Sequence, residues 1–323
     1  MRFTLLALNL AFLTSSLHAR DGLPEARRIL FLGDSITYGG TYVAMVEAAA
    51  VAAHPDESPP MLNLGLSSET VSGLSEDGHA GGKFPRPDLH ERLGRILPAV
   101  QADLVVACYG MNDGIYLPLA ADRFQAFKDG MIRLHEAVEK TGAKIIHLTP
   151  PVFDPQPIRQ RVRPAASAGT EGPFEGYDDV LAAYADWLLQ QRDERGWTVL
   201  DVHGPMVAAL EKERAKDPTF AFAKDGVHPN EAGHAVMARP LLTAWNLPTD
   251  SDGMPQHPRG AEIFKLIQQK QAVLRDAWLT ETRHLRPGVK AGLPLPEAEK
   301  KAAQLDAEAR RLARQAAEPA TTR

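Results

Sequence analysis

The chain alternates short apolar runs with longer stretches in which apolar residues recur every three or four positions. The short runs fall at residues 29–33, 61–64, 104–109, 144–148 and 197–200. Nearly free of charge and rich in Val, Ile and Leu, they read as strands buried on both faces. Helical spacing is plain at 41–53 (Tyr42, Val43, Met45, Val46, Ala49), after the N-cap candidate Asp88 (Leu89, Leu93, Ile96, Leu97) and at 121–140 (Phe124, Phe127, Met131, Leu134, Val138). Further helices are predicted over 178–195, over 205–216, and from the loop 225–230 to Trp245. Such alternation predicts a parallel sheet covered on both faces through right-handed crossovers. With five strands the expected fold class is α/β, a flavodoxin-like doubly wound parallel sheet.

The segments outside this pattern differ in kind. Residues 72–87 form a Gly-rich loop, and 150–176 a Pro-rich one too long for a simple connector, hence expected to be functional or mobile. Past Asn246 the prolines Pro248, Pro255 and Pro258 punctuate a polar linker, followed by helical stretches at about 260–283 and 297–317. Residues 261–323 carry 12 Lys and Arg against 8 Asp and Glu, within a chain of net charge −5. The stretch 297–318 reads as a solvated helix packing on the main domain. At the other end Met1-Arg2, the apolar run 3–13 and the small residue Ala19 form the tripartite pattern of an export leader. The expected organisation is a leader over 1–19, a sheet domain over 20–247, and a linker with helical extension over 248–323, in an exported protein, periplasmic or secreted.

Composition narrows the function classes. The acidic balance offers no nucleic-acid footprint, and no segment after the leader is long and apolar enough to span a bilayer. A single cysteine, Cys108, excludes an internal disulfide and sits in an apolar run as a packing thiol. Clustered His/Cys ligand spacings and phosphate-binding Gly-rich loops are absent, so neither a metal nor a cofactor is expected.

The strand ends supply the candidate chemistry. The first strand stops at Gly33-Asp34-Ser35, where open α/β sheets place their ligands. Gly65 follows the second strand, Asn112 the third, and the loop Asp225-Gly226-Val227-His228 sets a carboxylate and an imidazole three residues apart. This inventory suits acyl transfer: a serine nucleophile, a histidine base, a carboxylate to orient it, and amides for an oxyanion. The four segments Gly33-Asp34-Ser35, Asn63-Leu64-Gly65-Leu66-Ser67, Gly110-Met111-Asn112-Asp113 and Asp225-Gly226-Val227-His228-Pro229-Asn230 resemble, in order, the sequence blocks of the GDSL-type hydrolases of the SGNH superfamily. Ile36 stands where the name-giving motif has leucine, a conservative change. The resemblance spans about residues 28–245 and implies Ser35, His228 and Asp225 as catalytic triad, with Ser35, Gly65 and Asn112 as oxyanion donors. It also implies an exported serine esterase acting on short acyl esters, acetyl foremost, of carbohydrate. The substrate would be a small-molecule or polysaccharide ester, with no nucleic-acid partner and no stable membrane span. The same residues also admit a lysophospholipase or thioesterase, or a glycan-binding protein with a vestigial triad.

Other polar residues read more plainly. Asp34 is expected to hold the turn at Ser35, and Asp113 to orient the Asn112 loop. His79 reads as a solvent-exposed loop residue, His203 and His234 as structural. Arg159, Arg161 and Arg163 form either a solvated basic turn or a contact for an acidic sugar or sulfate.

Overall fold

The five apolar runs are five parallel strands in the computed structural model, which describes residues 22–169 and 172–315; the expected leader over residues 1–19 lies outside them. In chain order the elements are β1 (Ile29–Gly33), α1 (Ser35–Gly39), α2 (Thr41–Ala53), β2 (Met61–Asn63), α3 (Leu89–Val100), β3 (Leu104–Cys108) and α4 (Ala121–Glu139). Then come β4 (Lys144–Leu148), α5 (Tyr177–Arg195), β5 (Thr198–Leu200), α6 (His203–Arg214), α7 (Glu231–Ala244), α8 (Gly260–Glu281) and α9 (Leu295–Ala313). The strand order is β2-β1-β3-β4-β5, with Ile29 in register with Met61 on one side and Leu104 on the other. Every residue of β1 and β3 is buried, as helices on both faces require. α2 packs against α7 on one face and α3 against α4 on the other.

The order of strands decides where a site forms. From β1 the chain moves outward to β2, then returns across β1 to β3. The carboxyl ends of β1 and β3 therefore flank a topological switch point, where the crossovers leave a crevice open. Ser35 follows β1 and Asn112 follows β3. The sequence pattern does not show α1, a one-turn helix that starts at Ser35 itself and ends on left-handed Gly40 (φ 76°).

The C-terminal helices share the main core. One apolar cluster runs from the strands through Ile263, Ile267 and Trp278 of α8 to Leu312 of α9. Polar groups tie the same elements together. Gln271 of α8 accepts from the Asn63 amide and donates to the Met61 carbonyl, so its side chain caps the outer edge of β2 as a neighbouring strand would. Lys270 is buried between Glu47 of α2 and Asp306 of α9, with Nζ–O distances of 2.7 and 2.5 Å. The extension is the cover of a sheet edge rather than an appended tail. Among the described residues no helix is long and apolar enough to cross a membrane.

Candidate active site

Ser35 owes its position to its two predecessors. A Cβ on Gly33 would lie 2.2 Å from Thr37 Oγ1 and 2.7 Å from the Cys108 carbonyl oxygen, so only glycine lets α1 turn directly off β1. Asp34 caps that helix, its Oδ1 accepting from the Ile36 N–H at 2.9 Å. Burial lifts the Asp34 carboxyl to about 7, against the lowering effect of that hydrogen bond. As first residue of α1, Ser35 has no intrahelical acceptor for its own N–H.

The histidine loop arrives from the far end of the sheet domain. Asp225 Oδ1 accepts from the N–H groups of Val227 and His228 at 3.0 and 2.8 Å, which closes the loop on its own carboxylate. His228 Nδ1 donates to Asp225 Oδ2 at 2.7 Å, and Ser35 Oγ donates to His228 Nε2 at 2.8 Å. With one ring nitrogen spent on the carboxylate, the other presents its lone pair to the serine hydroxyl, the arrangement a general base needs. Burial opposes ionisation of Asp225, but hydrogen bonds from His228 and Val227 hold its carboxyl below the usual range. The two side chains remain about half exposed, at 52% and 48%, and so are open to solvent. Gly226 (φ 81°) tolerates no side chain, since its Cβ would lie 2.6 Å from the Asp154 carbonyl oxygen. This contact docks the Pro-rich loop onto the histidine loop, and Arg214 secures it by binding both carboxylate oxygens of Asp154.

The expected oxyanion donors are held differently. The Asn112 amide is fixed on three sides: its Oδ1 accepts from Arg86 Nη1 at 2.9 Å and from the Tyr116 hydroxyl at 3.2 Å, while Nδ2 donates to the Glu69 carbonyl at 3.1 Å. One N–H of the amide is left unspent. Gly65 requires a correction. Its N–H donates to Asn63 Oδ1 at 2.8 Å and is not available to a bound oxygen. A Cβ there would lie 2.3 Å from the Tyr38 nitrogen, so glycine serves the close packing of this loop on α1. Two amides of the same loop, those of Ser67 and Ser68, have no described partner, and Ser68 is a non-glycine residue at φ 69°.

Beside the triad opens a cleft of about 780 Å³, a size typical of ligand sites. Asp225, Val227, Glu76, Asp77, Tyr116, Phe153 and Arg161 are among its lining, so the Gly-rich and Pro-rich loops both form its walls. Asp113 lies beneath, its Oδ1 accepting from the Val71 and Ser72 amides at 2.8 Å each; burial raises its carboxyl to about 6. It orients the loop and does not reach the serine–histidine pair. His79 is half-buried on the edge of the Phe84 ring and beside Glu76, rather than a free surface residue. His203 faces Asp178, and His234 stacks on Tyr42. Arg163 bonds the carbonyls of Gln160 and Val162. Cys108 is buried, and its burial pushes the thiol up. No group of His, Cys, Asp and Glu arranged to hold a metal occurs among the described residues.

Arg86, Tyr116 and Glu69 escaped the reading of the sequence. Arg86 and Tyr116 sit in aperiodic loops. Glu69 is fully buried in an ion pair with Arg92, which donates from Nη2 to Oε2 at 2.7 Å, and also accepts from the Tyr109 hydroxyl at 2.7 Å. Its distance from Arg92, 23 residues along the chain, leaves no local signature.

A serine, an imidazole and a carboxylate in line at the switch point of a doubly wound sheet define the class, a hydrolase of the SGNH type. Residues 31–236 match the GDSL-like Lipase/Acylhydrolase family, and the chain belongs to that family as a carboxylic ester hydrolase. No curated protein matches it in sequence. Among solved structures it is similar to a gut microbial diltiazem-metabolizing enzyme, with TM-score 0.51 and 20% identity over 68% of this chain; the match spans only 47% of that enzyme's length. It is also similar to a catalytic mutant of Axe2, an acetylxylan esterase from Geobacillus stearothermophilus, with TM-score 0.50 and 21% identity over 69% of this chain and 95% of that one. At such identities the likeness is one of fold.

Proposed function

We propose that this chain is an exported serine esterase that removes short acyl groups, acetyl foremost, from carbohydrate. The observation that carries the reading is the hydrogen-bonded line Ser35–His228–Asp225 beside an open cleft, with the Asn112 amide held ready. Ser35 Oγ attacks the acyl carbonyl and passes its proton to His228 Nε2. The oxyanion is met by the N–H of Ser35, the spare N–H of Asn112 and the N–H of Ser68. His228 then protonates the departing sugar hydroxyl, and the same imidazole activates the water that releases the acid. For carbohydrate speak the mixed lining of the cleft, with carboxylates and an arginine beside Tyr116 and Phe153, and the acetylxylan esterase of like fold. The leader-like residues 1–19 support export.

One observation favours a second reading. Ile115, Leu117, Phe153 and Ile158 give part of the cleft an apolar wall that suits a longer acyl chain, as in a lipid-directed hydrolase. Hydrolysis of nitrophenyl acetate, butyrate and octanoate by residues 20–323 separates the two. Acetate leading the series, with loss of activity and of fluorophosphonate labelling in Ser35→Ala, is the expected result. Octanoate leading it transfers the assignment to lipids. A folded protein neither active nor labelled ends the esterase reading.

A further inference from the structure

The C-terminal extension grips the site with two arginines. Arg275 of α8 stands 4.0 Å over the Tyr38 ring and donates from Nη1 to the Tyr38 carbonyl at 2.6 Å, three residues from Ser35. Arg286, in the loop between α8 and α9, donates from Nε to the Ser67 carbonyl at 3.1 Å, with its guanidinium 5.3 Å from the Phe84 ring. The carbonyl it holds belongs to the peptide whose N–H is that of Ser68. No described peptide bond is cis, so this carbonyl and this N–H point in opposite directions.

The peptide sits in the middle of a tight turn, closed by the Glu69 N–H on the Leu66 carbonyl at 3.2 Å. Ser68, third in that turn, has φ 69°, the type II geometry that favours glycine. The type I alternative keeps the same ends, turns the central peptide over and gives the third residue a negative φ, which serine prefers. Left to itself the turn would favour the flipped form, with the Ser68 N–H reversed. Its ends are anchored on the site: the Leu66 N–H donates to the Gly33 carbonyl at 2.8 Å, and Asn112 Nδ2 donates to the Glu69 carbonyl.

We propose that Arg286 is a positioning residue, holding the Ser67 carbonyl so that the Ser68 N–H stays turned toward the oxyanion. The inference rests on the esterase reading above. It gives the extension a part in catalysis besides covering the sheet edge.

The test is ester hydrolysis by Arg286→Ala, Ser68→Gly and the double variant, with Arg310→Ala for comparison. Arg310 binds the Pro55 and Ser58 carbonyls and docks α9 far from Ser35 along the chain. Arg286→Ala is expected to lower kcat about tenfold with KM within about twofold, a fraction of what losing an oxyanion donor costs. Glycine accepts the type II turn unaided, so in the Ser68→Gly background the same change is expected to cost less than about threefold. Arg310→Ala lowers Tm and leaves kcat at 25 °C unchanged. Should Arg286→Ala not fold, Arg286→Met, which keeps the stem and removes the donor, is read in the same way. An unchanged kcat in the arginine variant, or an equal loss in both backgrounds, overturns the proposal. Absence of Ser35-dependent hydrolysis in the unmutated chain overturns the esterase reading instead, and this proposal with it.

Discussion

Arg86 Nη1 donates to Asn112 Oδ1 at 2.9 Å, and this bond decides which way the Asn112 amide faces. With the oxygen occupied by Arg86 and the Tyr116 hydroxyl, the NH₂ group must lie on the opposite side, where one N–H goes to Glu69 and the other stays free. Arg86 is itself clamped by Glu76 through Nε and Nη2, each at 2.7 Å, and is almost wholly buried. A loop carboxylate, an arginine and an amide thus form one chain of orientation from Glu76 on the cleft wall to Asn112.

The chain predicts non-additive losses. Asn112→Ala should lower kcat by about 10²–10³, the usual cost of one oxyanion donor. Arg86→Met should cost less, about tenfold, since the amide can still reach its position part of the time. The double variant should be no worse than Asn112→Ala alone, because Arg86 acts through Asn112. Steady-state kinetics on nitrophenyl acetate measure all three, and additive losses would mean that Arg86 acts on substrate independently.

Asp34 predicts an alkaline cost in stability. Its carboxyl sits at about 7 in the folded chain against an ordinary 3.8, because burial disfavours the charge. Between these values the native state holds a proton that the unfolded chain has released, so stability falls as pH rises through the window, by up to about 4 kcal/mol. Asn in its place still accepts the Ile36 N–H and does not titrate. Urea unfolding at pH 4 and pH 8 should show a smaller loss in Asp34→Asn than in the parent. His147 and His234, held by burial at about 3 and about 4, contribute the opposite slope equally to both proteins, so the difference isolates Asp34.

What the sequence discloses is what repeats or lies close together. The strands show as apolar runs because both faces of the sheet are covered, and Asp225 with His228 shows because three residues of one loop carry both groups. Ser35 and Asn112 stand out as polar residues at strand ends. Gly65 looked like an amide donor because a glycine after a strand leaves its N–H open; that the Asn63 side chain takes this N–H depends on a rotamer with no pattern along the chain. Arg86 to Asn112, Arg92 to Glu69 and Lys270 to Glu47 span 26, 23 and 223 residues. Such bonds have no period, and the sequence alone does not pair them. The C-terminal extension was opaque for the same reason, since its helical pattern is visible but its partner is not.

Glu69 should behave as a buried charge with obligatory partners. Its side chain is fully enclosed with that of Arg92, and burial raises its carboxyl despite the guanidinium and the Tyr109 hydroxyl. Glu69→Ala leaves Arg92 buried without its counter-ion and should destabilise the fold by about 3–5 kcal/mol. Because the Glu69 carbonyl also receives the Asn112 amide, kcat should fall in any fraction that remains folded. Denaturant unfolding with parallel kinetics tests both, and a change under about 1 kcal/mol would mean that water enters the site freely.

Lys270 makes the extension's packing testable in the same terms. Its ammonium is buried between Glu47 and Asp306, and the two carboxylates keep it charged against the pull of burial. Lys270→Met removes the cation and leaves Glu47, wholly enclosed in α2, as an isolated carboxylate beside β2. The expected loss is about 3–5 kcal/mol, the cost of breaking a buried pair on one side. Replacing both partners, Glu47→Gln with Lys270→Met, removes the stranded charge and should recover part of that loss, since the amide oxygen can still accept from one of the two donors, Gln271 Nε2 or the Met61 N–H. A single unfolding transition in all these variants, followed by both tryptophan fluorescence and far-UV dichroism, is expected if α8 and α9 belong to the same cooperative unit as the sheet. A separate early transition in Lys270→Met would instead show the extension folding on its own.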